Sequence, residues 1–141
     1  MDTRDRLMRL ISEGIDVTQT VNNSNKSILI RGCDPEMGRR AIELLTPVLG
    51  NPQMVSVTND DDFILELKKT KWSVIHFAPG ACRCDLTGSP IPGSRAQTQG
   101  WSLKEYKSLV NKHQGQNIKI VETAYEHQIV PLLLKALASN A

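Results

Sequence analysis

Cysteine is scarce and shows no pairing pattern: three residues in 141, an odd number without the spacing of a secreted scaffold. That excludes a disulfide framework and leads to the expectation of free thiols in a reducing, cytoplasmic compartment. An excess of one charge is lacking too. The 17 Lys and Arg against 15 Asp and Glu leave a net +2, too little to signal a nucleic-acid or membrane-surface partner. No apolar run approaches the roughly 20 residues that span a bilayer. The opening MDTRDRLMRL is charged where an export signal needs an apolar core. Internal repeats, low-complexity tracts and breaks in composition are also missing, so a single domain is expected over residues 1–141.

What is present is ordinary globular material, 40% hydrophobic and 23% charged, long enough to bury a core without a structural metal. Residues 4–15 put Leu7, Leu10, Ile11 and Ile15 on one helical face. Val17 to Val21 then alternates at period two, as an edge strand would, before the polar turn 22–25. Residues 1–26 thus form an N-terminal extension to a core over 27–141. In the core, strand and helix signals alternate. Strands are expected at Ser27–Arg31, Met54–Thr58, Trp72–Phe77 and Asn117–Val121. Asp34-Pro35-Glu36 starts a helix that ends near Gly50, with Met37, Ala41, Leu44, Leu45 and Val48 inward. Residues Asn59 to Asp62 cap a second helix, and Ser102-x-x-Glu105 opens a third. The C-terminal segment is helical to about Ala138. Either Thr123-x-x-Glu126 caps it with a kink at Pro131, or the main helix starts at Pro131.

Strands separated by helices imply a three-layer α/β fold with a mainly parallel sheet, core order 2-1-3-4, caspase-like or flavodoxin-like. Such sheets bind ligands beyond the carboxyl ends of their strands, at the switch point between the first and third. Two stretches fall there, 31–40 and 78–101. The second is a 24-residue connection with four Gly and three Pro, a length that marks either a functional loop or a mobile insertion.

Several residues of chemical interest share this edge. Cys33, Cys82, Cys84 and His76 are the types that ligate zinc, but Cys-x-Cys is not knuckle spacing, so packed or idle thiols are the plainer reading. Cys33 to Arg39 spells C-x5-R between strand and helix, the layout of a phosphatase loop. Pro35 removes a donor there, and Asp34 and Glu36 repel phosphate, so a helix cap explains the same letters better. Arg31, Arg39, Arg40, Arg83 and Arg95 suit an anion, yet loop and helix-start arginines are commonly solvated surface. His113 falls at a helix C-terminus, where the dipole favours its charge.

From the third strand onward the chain has a familiar order. Val74-Ile75-His76-Phe77-Ala78 leads through a Pro/Ser loop (Ser89 to Ser94) to Gly100-Trp101-Ser102-Leu103-Lys104-Glu105-Tyr106, then to the strand Ile118-Lys119-Ile120-Val121. Over residues 70–126 this resembles the CHAT branch of caspase-like cysteine peptidases. There, a strand ending H-F-A-x-H-G precedes such a loop and helix, and the next strand ends in S-A-C with the nucleophile. The place of the family's catalytic His is taken here by Gly80, and Glu122-Thr123-Ala124-Tyr125 holds no Cys. The resemblance therefore implies a degenerate member without the thiolate–imidazole dyad such a peptidase needs.

The expectation for function is a non-catalytic interaction or regulatory domain, with no cofactor, no metal and a protein partner or self-association. Leu7, Leu10, Ile11 and Ile15 are the candidate partner-binding stripe. The alternative is a small enzyme or an anion- or nucleotide-binding protein that uses Cys33, Arg39, His76, Gly80, Cys82 and Arg83.

Overall fold

The run Ser27–Arg31 forms β1 of the computed structural model, which describes residues 22–32, 34–78, 103–123 and 125–138. The helix expected over 4–15 and the strand over 17–21 lie outside the described residues, as does the cap at Ser102. Next comes α1 (Pro35–Val48), whose start follows the chemistry expected of it. The Asp34 carboxylate accepts from the N–H groups of Glu36 and Met37 at 2.9 and 3.1 Å, and Pro35 stands where an N–H has no helical use. At the far end, Gly50 and Asn51 take φ of 85° and 64°. Asn51 N–H bonds the Thr46 carbonyl and Gly50 N–H that of Pro47, a Schellman stop that uses carbonyls left over by the last turn. The buried Asn23 takes two more: its N–H reaches Gly50 O and its Nδ2 reaches Leu49 O, both at 2.7 Å.

Further along the chain are β2 (Gln53–Val57), α2 (Asp60–Lys69), β3 (Val74–Phe77), α3 (Leu103–Gln114) and β4 (Lys119–Glu122). A 3₁₀ turn at Glu126–Gln128 then leads into α4 (Ile129–Ala138). Pro131 falls in the first turn of α4, where no intrahelical acceptor waits for its missing N–H. The second of the two expected arrangements is therefore the nearer one. No helix among the described residues is long and apolar enough to cross a membrane.

The four strands pair in parallel in the order β2-β1-β3-β4, with Ile28 beside both Met54 and Val74, and Val74 beside Lys119. Alternation along the strands divides the core in two. Ile28, Ile30, Val74 and Val121 pack with Leu45 of α1 and with Ile129, Leu133 and Leu137 of α4. Leu29, Ile75, Phe77 and Val57 face the other way, onto Phe63 and Leu67 of α2 and Tyr106 and Val110 of α3. Phe77 meets Phe63 and Tyr106 edge-on, with ring centroids 5.6 and 6.2 Å apart. That geometry adds about 0.5–1.5 kcal/mol per pair to simple burial. All four residues of β3 are buried, as a strand covered on both faces requires.

Gly38 brings α1 close to β2. A Cβ added to Gly38 of α1 would fall well inside contact distance of Ser56 Oγ and 3.1 Å from Ser56 Cβ, on β2. Gly38→Ala should therefore destabilise the domain by about 1–2 kcal/mol, because overpacking outweighs the gain in helix propensity. Most of that loss should return in a Ser56→Ala background. Equal melting temperatures for Gly38→Ala and the parent would show that α1 can shift freely on the sheet.

Candidate functional site: the carboxyl edge and the flank of β4

β1 delivers Arg31 to the carboxyl edge and turns its side chain onto the α2–α3 face, where 1% of it is exposed. Its Nε and Nη2 donate to Asp60 Oδ1 at 3.1 and 2.8 Å, and Nη1 donates to the Gly32 carbonyl at 2.5 Å. Asp60, wholly buried at the start of α2, accepts on Oδ2 from the Tyr106 hydroxyl of α3 at 2.8 Å. The guanidinium is thus an internal bolt joining β1, α2 and α3 rather than a basic group offered to a ligand. Grouping Arg31 with surface arginines overlooked this, because its partner stands 29 residues away and no local pattern announces the pair.

His76 of β3 lies on the opposite face, 2% exposed. Its Nε2 is 3.0 Å from Thr123 Oγ1, and that hydroxyl in turn reaches Phe77 O at 3.4 Å. An Nε2–H tautomer completes the chain of donors: ring to hydroxyl, hydroxyl to carbonyl. Among the described residues Nδ1 is buried with no partner, as is Ser56 Oγ. Burial lowers the imidazole pKa to about 4, so the ring is neutral at pH 7. In position, Thr123 belongs to the stretch 122–125 at the end of β4, which holds no Cys where the resemblance calls for the nucleophile. In chemistry it is a buried hydroxyl fastening β4 to β3, its N–H also bonded to Phe77 O at 3.0 Å.

Arg39 is exposed on α1 and forks to Glu36, at 2.6 Å, and to Glu43. The hydrogen bond from Arg39 is the main cause of a Glu36 carboxyl held below its usual range. The cap formed by Asp34 is the helix-start reading of C-x5-R. Cys33, Gly80, Cys82, Cys84 and Arg83, together with Leu7, Leu10, Ile11 and Ile15, lie outside the described residues. Among the described residues no three His, Cys, Asp or Glu group as metal ligands. His113, expected to be favoured by the dipole, is instead pushed below its ordinary value, first by partial burial and then by Lys112, Lys68 and Lys71.

Grooves lie among the described residues at two places. One, of about 370 Å³, sits at the amino ends of the strands among Ser24, Lys26, Gln53, Thr70, Lys71 and Trp72. Its lysines are engaged: Lys26 Nζ bonds Leu137 O at 2.5 Å and Lys71 Nζ bonds His113 O at 2.8 Å. The other, of about 330 Å³, runs along β4 and is lined by all four of its residues with Leu132, Lys135 and Ala136 of α4. Sequence reasoning missed it, although the order 2-1-3-4 already made the fourth strand an edge. Compared with protein families, curated proteins and solved structures, the chain matches none.

Proposed function

We propose that this chain is a non-catalytic protein-interaction or regulatory domain, built on a caspase-like core, that receives its partner along β4. The observation that carries the reading is the β4 groove. Among the described residues β4 is paired on one side only, and its flank has an apolar floor with Leu132 still 37% exposed. The carboxyl edge supports the same reading. Arg31, Asp60 and Tyr106 on one face of the sheet, and His76 and Thr123 on the other, are turned inward and bonded within their own group. The strand order agrees with the resemblance to the CHAT branch, whose dyad positions hold Gly80 and the Cys-free stretch after β4 here.

A photo-crosslinking amino acid at position 132, in the full chain expressed in cells, should give a discrete adduct that the same probe at position 65 does not. The adduct should survive Cys33→Ser, Cys82→Ser and Cys84→Ser together, with folding checked separately because a buried thiol made a hydroxyl costs stability. Hydrolysis of a peptide or phosphoester substrate that disappears in the folded triple variant would overturn the reading in favour of a thiol enzyme.

A further inference from the structure

We infer that the partner is an extended segment, with acidic and apolar side chains together on one face, that joins the sheet as a fifth strand against β4. The inference rests on the interaction-domain reading and names what the groove holds. The backbone comes first. Thr123 N–H points to β3, where it bonds Phe77 O. Direction alternates along a strand, so Lys119 and Val121 point the same way, while Ile120 and Glu122 present their N–H and C=O at the edge that no other described strand pairs. A strand laid there finds two donors and two acceptors already in line. That is the requirement for recognition by strand addition.

The side chains set the chemistry. Val121 stands beside His76 in the register and packs toward α4, so Lys119, two residues before it, is on the α4 face as well. There it lines the groove together with exposed Lys135, above a floor of Val121, Leu132 and Ala136. Neither lysine has a carboxylate partner among the described residues. The nearest acid on the strand, Glu122, is on the other face and pairs with Lys107 of α3 at 3.6 Å. An incoming strand thus meets, on one face, apolar surface and two cations unneutralised among the described residues, which suits Val, Ile or Leu taking turns with Asp or Glu at every second residue, the positions that share a face. A lysine on an edge also discourages pairing with basic strands.

A second copy of the chain fits less well. Antiparallel pairing of β4 with its own copy needs a two-fold axis normal to the sheet. The α4 faces of both copies then fall on the same side, so one face of the joined sheet carries two Lys119 and two Lys135 and gains no acid from β4. A four-residue strand also buries far less than the ~800 Å² per partner of a stable interface. The contact is expected to be weak, on the order of 10–100 μM for an isolated peptide.

The test uses the full chain, labelled for NMR, and two synthetic octapeptides blocked at both ends, in which valine takes turns with glutamate, or with lysine, at every second position and threonine fills the positions between. The valine–glutamate peptide should slow amide exchange at Ile120 and Glu122 at least tenfold. Lys119 and Val121, already bonded to β3, should change little. Lys119→Glu with Lys135→Glu should weaken that peptide about tenfold and admit the valine–lysine one. A peptide that shifts the Leu132 methyls but leaves the Ile120 and Glu122 amides unprotected would overturn strand addition while leaving the interaction reading standing. So would a crosslinked adduct at position 132 from a chain whose groove answers neither peptide. Protection of the two amides before any peptide is added would show the edge already covered, by this chain or by a second copy if it grows with concentration. Either result overturns the inference.

Discussion

Asp60→Ala is expected to cost about 3–5 kcal/mol, the range for removing one partner of a buried ion pair. The carboxylate serves two buried groups at once. Without it the Arg31 guanidinium keeps its charge in the core with only the Gly32 carbonyl among its present acceptors, and the Tyr106 hydroxyl loses its acceptor at 2.8 Å. For a domain of this size the melting temperature should fall by about 10 °C. Tyr106→Phe, which removes one neutral donor and keeps the ring, should cost only about 1–2 kcal/mol. Arg31→Met with Asp60→Leu should recover much of the single-variant loss, because the costly element is a lone buried charge rather than the absence of a pair. A full additive loss in the double variant, measured by urea denaturation, would mean that the pair stabilises the fold outright.

Acid should weaken the domain in a window that belongs to His76. The folded-state pKa of about 4 lies below the ordinary 6.5, so between those values the unfolded chain binds the proton and the folded one does not. The contribution to stability is complete above pH 6.5 and is lost as pH falls toward 4. It amounts to about 3 kcal/mol at 1.36 kcal/mol per unit. His76→Gln keeps a donor for Thr123 without a titrating ring, and its stability should be nearly flat from pH 6.5 to 5. Denaturation curves at pH 7, 6 and 5 for the two proteins separate this effect from the carboxylates, most of whose titration lies lower. Parallel slopes for parent and variant would place the proton uptake elsewhere.

The layered fold was legible because its signals are local. A strand–helix alternation, a capping Asp34, an Asn59 whose side chain accepts from Asp62 N–H at 2.8 Å, and a Gly50 stop each occupy a few consecutive residues. Boundaries were less legible. The fourth strand runs Lys119–Glu122 rather than Asn117–Val121, because its ends are fixed by register with Val74 to Phe77 and not by its own letters. Trp72, expected to begin β3, precedes it and sends its indole N–H to the Glu66 carbonyl at 3.0 Å. Met37 fits the apolar stripe of α1 yet is 40% exposed, being in the capped first turn. The interior of the carboxyl edge was illegible for a different reason. Arg31 with Asp60, Asp60 with Tyr106 and His76 with Thr123 are separated by 29, 46 and 47 residues, so nothing nearby in sequence marks them as partners.

The central position of β1 has a consequence for synthesis. The ribosome makes this strand before the other three described strands, but its two neighbours are supplied 26 and 46 residues later, at Gln53 and Val74. A nascent chain that has emerged only as far as β2 leaves the β3-facing edge of Ile28, Leu29 and Ile30 unpaired. No hairpin can close that edge early, since each pairing is parallel and needs a full crossover. The domain must hold this internal strand half-finished until residue 77 has cleared the exit tunnel. During that interval, rather than in the finished fold, the chain is most exposed to aggregation and most in need of chaperones.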